Sequence, residues 1–528
     1  MNGEKQGEGG PPSKQPDYRP FNRPVKGNTA ILPGIAFSLT QRMGNGKKDD
    51  IFSVRTVMAN SEALTARLDS IFHPRSVAVV GVPRGLKTGK LFLMALQDQD
   101  FRGKIYPVNP AADYIDGLKA YPTVSAIPDP VDLAIILVPE NGGREAVADC
   151  SAKGVKGAIL FTSGYKETGT EEGKKREEEL VRIARSAGMR LIGPNCMGIY
   201  APASGLSFFP GLSKKPGPIG IVSNSGSLAN ILCRMAPQKG LYFSKAVSLG
   251  NECDLTSTDF LAYLGSDPET KVIGSYLEGI GDGIAFLRNV REISRHKPVV
   301  VWKVGLTPEG SRAAASHTGA MAGAAGLWQG IVNQSGAIPV VGFECWVDAL
   351  MGCSMLPPAL GDRIAIISGP GGLAVSAAEA CGREGLKLAQ LADETTAELK
   401  RIVPPTGTSL RNPVDVGLTA SLEMDIYIES AKVVAADTGV DAVLVIGMGM
   451  TDAMNRRYTE AMIDFRNRFG KPFLMVNIPG FDLELARAFP EAGIPFFETA
   501  ERALGTFARV RRYQRRRDAR QGKNFIKT

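Results

Sequence analysis

The sequence predicts an α/β chain built from three successive units of parallel strands joined by helices. Length is the first observation: 528 residues are too many for one hydrophobic core. Composition is the second, with sixty glycines beside a 44% hydrophobic content concentrated in short Val/Ile runs. The third is spacing. The apolar runs alternate with helical stretches at intervals of roughly 25–30 residues, the pattern of strand–helix–strand units, whose ligands lie beyond the carboxyl ends of the strands.

Residues 1–60 are rich in Gly, Pro, Lys and Asn without a sustained period, which predicts a disordered or loosely attached arm. An amphipathic stretch begins at Met58, which makes that methionine an alternative start. A first domain is expected over 66–205. Its strand Ser76–Gly81 runs into a turn holding Arg84, Lys87, Gly89 and Lys90, and further strands follow at Lys104–Val108, Leu133–Val138, Gly157–Phe161 and Arg190–Asn195. Each ends in small or polar residues: Gly81, Asn109-Pro110, Pro139, Thr162-Ser163-Gly164 and Asn195. Together they predict a binding rim, and the basic first turn suits a phosphate-rich ligand. A nicotinamide dinucleotide fits poorly. Gly81, Gly85 and Gly89 miss the GxGxxG spacing, and the second strand ends in Asn109 where a ribose-binding acid would stand.

The second domain, over 215–350, opens with the strand Pro218–Ser223 passing through Asn224-Ser225-Gly226-Ser227 into a helix. Free amides and the dipole at such a start form a ready anion site. Tyr276-Leu277-Glu278 places a carboxylate at a strand end, where it can hydrogen-bond an imidazole and fix its tautomer. His317, one of three histidines, stands in Ser316-His317-Thr318-Gly319 among small residues that leave a ring uncovered. Imidazole accepts and releases a phosphoryl group near neutral pH, while the plainer reading makes His317 a bystander at a capped helix start. A third domain, over 358–513, repeats the device at Arg363–Ser368 and Gly369-Pro370-Gly371-Gly372, and 514–528 reads as a basic tail, an arginine-rich helix end or frayed arm left in solvent.

The totals exclude several classes. Of the net charge of +8, the first 60 residues carry +4 and the last 20 carry +8, leaving −4 for the body. The basicity thus lies in the ends, without the aromatic interleaving of a nucleic-acid surface. Seven cysteines in odd number, lacking CxxC or CxH spacing, argue for a reducing cytoplasm and against a disulfide framework or zinc site. No metal site is expected. No apolar run approaches the roughly 20 residues of a membrane span, and no secretory signal stands at the N-terminus.

The motifs Ser76–Gly81, Gly103–Pro110, Pro194-Asn195-Cys196, Val247–Asn251, Tyr276–Gly279, Ser316–Gly323 and Asn412–Asp415, in this order, resemble the α subunit of the nucleoside-diphosphate-forming acyl-CoA synthetases, relatives of succinyl-CoA synthetase. The resemblance covers about 66–515. It implies a CoA-binding Rossmann-like domain followed by two flavodoxin-like ligase domains. CoA would lie against Gly81, Arg84, Lys87, Gly89, Asn109, Pro110, Pro139, Ser163 and Asn195. His317 would carry a transient phosphate, oriented by Glu278 and cradled by helix starts at Ser225-Gly226-Ser227 and Gly371-Gly372.

The implied reaction joins a small carboxylic acid to CoA at the expense of ATP, reversibly, giving ADP and phosphate. After three α/β units only a short tail remains, so ATP and Mg²⁺ would bind an ATP-grasp β subunit in an assembly such as α2β2. Asn224 stands where the family usually has Gln, Pro83–Lys87 depart from its Gly-Ala-Ser opening, and Ala378-Glu379 replace Thr-Asp. A CoA-sensing or protein-acetyltransferase-like scaffold is the alternative, and such relatives typically lack the histidine.

Overall fold

A computed structural model describes residues 63–318, 325–478 and 487–522, without the side chains of 316–318. Contacts divide the chain into Met1–Ala63 and Leu64–Thr528, and everything below belongs to the second unit. The expected arm over 1–60 lies outside the described residues.

The first sheet comprises β1 (Ser76–Val80), β2 (Lys104–Val108), β5 (Leu133–Ile136), β6 (Gly157–Leu160) and β7 (Arg190–Ile192), in the order β2-β1-β5-β6-β7. Every pairing is parallel. A small antiparallel hairpin, β3 (Tyr114–Ile115) and β4 (Leu118–Lys119), interrupts the second connection. Val77–Val80 and Leu133–Ile136 are buried throughout, as strands covered by helices on both faces must be.

The second sheet is mixed. It comprises β8 (Gly198–Tyr200), β9 (Ile219–Ser223), β10 (Phe243–Ser248), β11 (Val272–Leu277), β12 (Val299–Lys303) and β13 (Ile338–Val340), ordered β13-β12-β11-β9-β10-β8. The edge strand β8 runs antiparallel to β10, a departure from the expected parallel set. The third sheet comprises β14 (Arg363–Ser368), β15 (Lys387–Leu388), β16 (Val414–Asp415), β17 (Ala442–Ile446), β18 (Phe473–Val476) and β19 (Phe496–Phe497). Its order is β15-β14-β17-β18-β19, with β16 pairing β14.

A loop after β10 ties the first two sheets together. The N–H groups of Asn251, Cys253 and Leu255 donate to the carbonyls of Pro194, Gly193 and Leu191 at 3.0, 3.0 and 3.2 Å. Asp254 then accepts from both Arg185 and Arg190 at 2.7 Å. The buried Asp254 carboxyl is held below its ordinary range, since these bonds outweigh the desolvation that opposes them.

The arginine-rich C-terminal stretch corrects the expectation of a solvated tail. The helix Ala500–Arg520 runs through the boundary placed at 513–514, and Tyr513 and Gln514 are buried. Arg511 donates to Asp362 at 2.9 Å, and Arg517 to the Pro358 carbonyl at 3.0 Å. Arg520 reaches the Ser335 carbonyl at 3.0 Å and thereby pins the helix to the second domain.

Candidate functional site

The carboxyl ends of the first sheet open into a cleft of about 810 Å³. Six expected rim residues line it: Gly81, Lys87, Gly89, Pro139, Ser163 and Asn195. Gly81 stands at φ +81°, and a Cβ there would sit 2.7 Å from Val138 Cγ1, so only glycine closes this strand without strain. The other three expected residues do not line the cleft. Arg84 and Pro110 are exposed. Asn109 serves the turn instead, donating to the Val82 carbonyl at 2.9 Å and accepting from the Ala111 N–H at 2.8 Å. Lys90, counted among the basic residues of the first turn, is buried on Asp116 at 2.7 Å. Among the described residues Lys87 is thus the cation that lines the cleft, and Glu140 lines it too.

The far wall of the same cleft is the second domain: Asn224, Ser225, Gly226 and Ser227. Ser225 caps the helix Gly226–Met235, its hydroxyl accepting from the Leu228 N–H at 3.3 Å, and this leaves the first helical amides facing the cavity. Gly226 has to be small, because a Cβ would meet Met197 Cγ at 2.6 Å.

A second cleft of about 590 Å³ begins at Ser225 and is otherwise lined by Tyr276, Glu278, Val304, Gly310, Ala313 and Ala314. Ser225 therefore belongs to both cavities. Glu278 follows β11 directly and is buried; its N–H donates to Asn224 Oδ1 at 2.8 Å. Burial, and then the neighbouring Glu278 carboxylate, push the Tyr276 hydroxyl up to about 12. Lys303, at the end of β12, donates to the Glu278 carbonyl at 2.8 Å and to the Val304 carbonyl. Burial lowers its ammonium below the usual range while Glu278 pulls the other way. In the sequence Lys303 looks like an edge residue, a lysine that closes an apolar strand. Its mark, legible afterwards, is a charge directly before the loop that leads to the histidine segment.

The helix Pro308–Thr318 carries His317 in its last turn, so the expected helix start is a helix end. His317 lies three and four positions beyond Ala314 and Ala313, the interval that shares a helix face. Its side chain lies outside the described residues, as do residues 319–323 of its loop. Gly371 and Gly372 open the helix Gly371–Arg383 on the third sheet and line neither cleft. Of the other two histidines, His296 is exposed and His73 Nδ1 lies 3.1 Å from the Asp69 carbonyl. Among the described residues no group of side chains could hold a metal ion, and no helix is long and apolar enough to cross a membrane.

Comparison with known proteins adds independent findings. Residues 75–202 match the CoA binding domain family, and residues 216–353 the succinyl-CoA ligase like flavodoxin domain. The α subunit of acetate–CoA ligase [ADP-forming] II from Pyrococcus furiosus is 37% identical, over 82% of this chain and 95% of that subunit. Acetate–CoA ligase [ADP-forming] I from Archaeoglobus fulgidus is 36% identical over 85% of this chain, which spans 64% of that protein. Among solved structures, the dinucleotide-forming acetyl-coenzyme A synthetase 1 of Candidatus Korarchaeum cryptofilum, in complex with phosphate and ADP, superposes with a TM-score of 0.77. That match is 33% identical and covers 87% of this chain and 99% of the other.

Proposed function

Since the chain belongs to the ADP-forming acyl-CoA synthetases, a family of acid–thiol ligases, we propose that it is the CoA-binding, histidine-phosphorylated α subunit of such an enzyme. The observation that carries the reading is the position of Ser225, on the wall of both the CoA-side cleft and the cleft beneath the histidine helix. One helix N-terminus thereby serves a thioester site and a phosphoryl site at once.

The chemistry has three parts, the first being transfer of the γ-phosphoryl group of ATP to a His317 nitrogen, in which a P–N bond forms, the terminal P–O bond breaks and ADP leaves. A carboxylate is a poor acyl donor because it would have to expel oxide. Its oxygen attacks the phosphorus carried on His317; the P–N bond breaks, and an acyl phosphate forms. The CoA thiol then attacks the acyl carbon, the C–O bond breaks, phosphate leaves, and the thiol proton goes into solution. Ser225, Gly226 and Ser227 would hold the phosphoryl oxygens on first-turn amides, an effect of about 1 kcal/mol for the helix field and more where water is excluded. Glu278 would fix the imidazole and Lys303 would offset phosphoryl charge from behind. The rim Gly81, Lys87, Gly89, Pro139, Ser163 and Asn195 fits CoA: a cation and bare backbone for phosphates, with a continuous path to Ser225.

An ATP-grasp β subunit would supply ATP and Mg²⁺, in an assembly such as α2β2. In support, relatives named as α subunits are matched over nearly their whole length, whereas the Archaeoglobus protein is matched over 64% of its own. The test is phosphate transfer from γ-labelled ATP and Mg²⁺ in the co-expressed complex. Acid-labile, base-stable label on the wild type, absent from His317→Ala and chased by CoA plus the cognate carboxylate, is the expected result. Wild-type chain that binds CoA but takes no label would overturn the reading in favour of a CoA sensor.

A further inference from the structure

The loop that locks the CoA domain to the second sheet also reaches the phosphoryl site, through Glu252. This residue sits at φ +55°, a conformation that a non-glycine residue adopts only when its surroundings over-determine it. On one side of it, Asn251 and Cys253 are bonded to Pro194 and Gly193 of the CoA domain. Gly250 is seated so tightly there that a Cβ would stand 2.2 Å from the Asn195 carbonyl oxygen. On the other side, the Glu252 carboxylate accepts from Asn224 Nδ2, and its second oxygen from the Ser257 hydroxyl at 3.3 Å.

These bonds fix an orientation. The Glu278 N–H can only donate, so the Asn224 amide must turn Oδ1 toward it and its NH₂ toward the Glu252 carboxyl, which accepts. Asn224 Oδ1 then faces, and accepts from, the Glu278 N–H at 2.8 Å. Asn224 is also the residue immediately before Ser225, whose capped helix start walls both clefts. Reversing the amide would put NH₂ against an N–H and break both bonds. The Asn224 N–H itself is spent on the Tyr276 carbonyl at 3.0 Å, so the side chain is what remains free to be set.

We propose that Glu252 is a positioning residue, which sets the Asn224 amide and through it the register of Glu278 and the Ser225 helix start, making the phosphoryl site depend on the docking of the CoA domain. The proposal rests on the reading that this site handles a phosphoryl group.

The experiment is the rate of labelling from γ-labelled ATP and Mg²⁺ in the co-expressed complex, for wild type, Glu252→Ala, Asn224→Ala and the double variant. Action through Asn224 makes the effects non-additive: Glu252→Ala slows labelling about tenfold, and the double variant stays within about twofold of Asn224→Ala. A donor–acceptor exchange gives a second measurement that does not depend on alanine at 252. Asn224→Asp sets two carboxylates against each other and slows labelling. Adding Glu252→Gln restores a donor–acceptor pair in reverse, and recovers several-fold of that loss. Wild-type labelling that Glu252→Ala leaves unchanged, losses that simply multiply, or an exchange without recovery each overturn the role of Glu252 alone. Absence of label on the wild type overturns the phosphoryl reading, and the proposal with it.

Discussion

Two strand-to-helix turns in this molecule share an internal bond. Leaving β9, the Ser223 hydroxyl donates to the Ser225 carbonyl at 2.8 Å; leaving β14, the Ser368 hydroxyl donates to the Pro370 carbonyl at 2.9 Å. Beyond that bond the two diverge. Ser225 caps its helix with a side chain, whereas Pro370 offers none. Asn224 ties the first turn to Glu252 and Glu278. The second turn has the Asp415 carboxylate beside it, with Oδ2 only 2.6 Å from where a Cβ of Gly371 would be. An anion arriving at the first start meets a side-chain-capped helix with Glu278 elsewhere on the cleft wall, whereas one arriving at the second meets a carboxyl group packed directly against the first glycine of the helix. Equal backbone geometry therefore does not mean equal affinity for phosphate, and the first turn should carry the larger share.

The sharpest way to break this comparison is to add one methyl group to each turn. In Gly226→Ala the new Cβ meets Met197 Cγ at 2.6 Å and Ser248 Oγ at 3.2 Å, so the turn must shift. Overpacking of this kind costs about 1–3 kcal/mol, and phosphoryl transfer should fall by more than tenfold. Gly372→Ala meets nothing within 4 Å and should stabilise its helix by about 0.5–1 kcal/mol. Thermal unfolding and labelling rates of both variants decide it. Greater damage from Gly372→Ala would exchange the roles of the two turns.

A smaller effect is expected from Ser225→Ala, which removes the cap and should cost about 1 kcal/mol. Because Pro370 makes no such bond, Pro370→Ala should lose less of the capping energy than Ser225→Ala does. Chemical denaturation of both variants measures the difference, and equal losses would mean that the Ser225 hydroxyl does not hold its helix.

The strands were legible because parallel strands buried on both faces read as plain apolar runs: Ser76–Val80, Leu133–Ile136 and Arg363–Ser368 fall where they were expected. Ser225 and Glu278 were legible for a related reason, since each stands where an apolar strand stops and the residue type is chemically pointed. What escaped notice depends on partners far away in sequence. Glu252 looks like a surface acid in a turn, and its surroundings come from Asn224 and from the CoA-domain segment ending at Pro194. The terminal arginines look solvated until Asp362, Pro358 and Ser335, each more than 140 positions away, receive them. The edge strand β8 escaped because Gly198–Tyr200 is too short to show a period.

The smallest expected effect is the response of the first turn to pH. Burial pushes the Glu252 carboxyl up to about 7, against the bonds from Ser257 and Asn224, and the charge of Asp259 adds to the rise. Folded chain therefore holds this proton more tightly than unfolded chain. The sign follows: stability from this group is present at low pH and is lost as pH rises from the ordinary carboxyl range through about 7. Glu252→Gln cannot ionise and escapes that loss. Its unfolding midpoint minus that of the wild type should grow between pH 5 and pH 8, by about 2–4 °C for each kcal/mol of ionisation cost relieved. A flat profile for Glu252→Gln would mean that its carboxylate is solvated in the folded chain, and the loop would then be a mechanical joint without an electrostatic part.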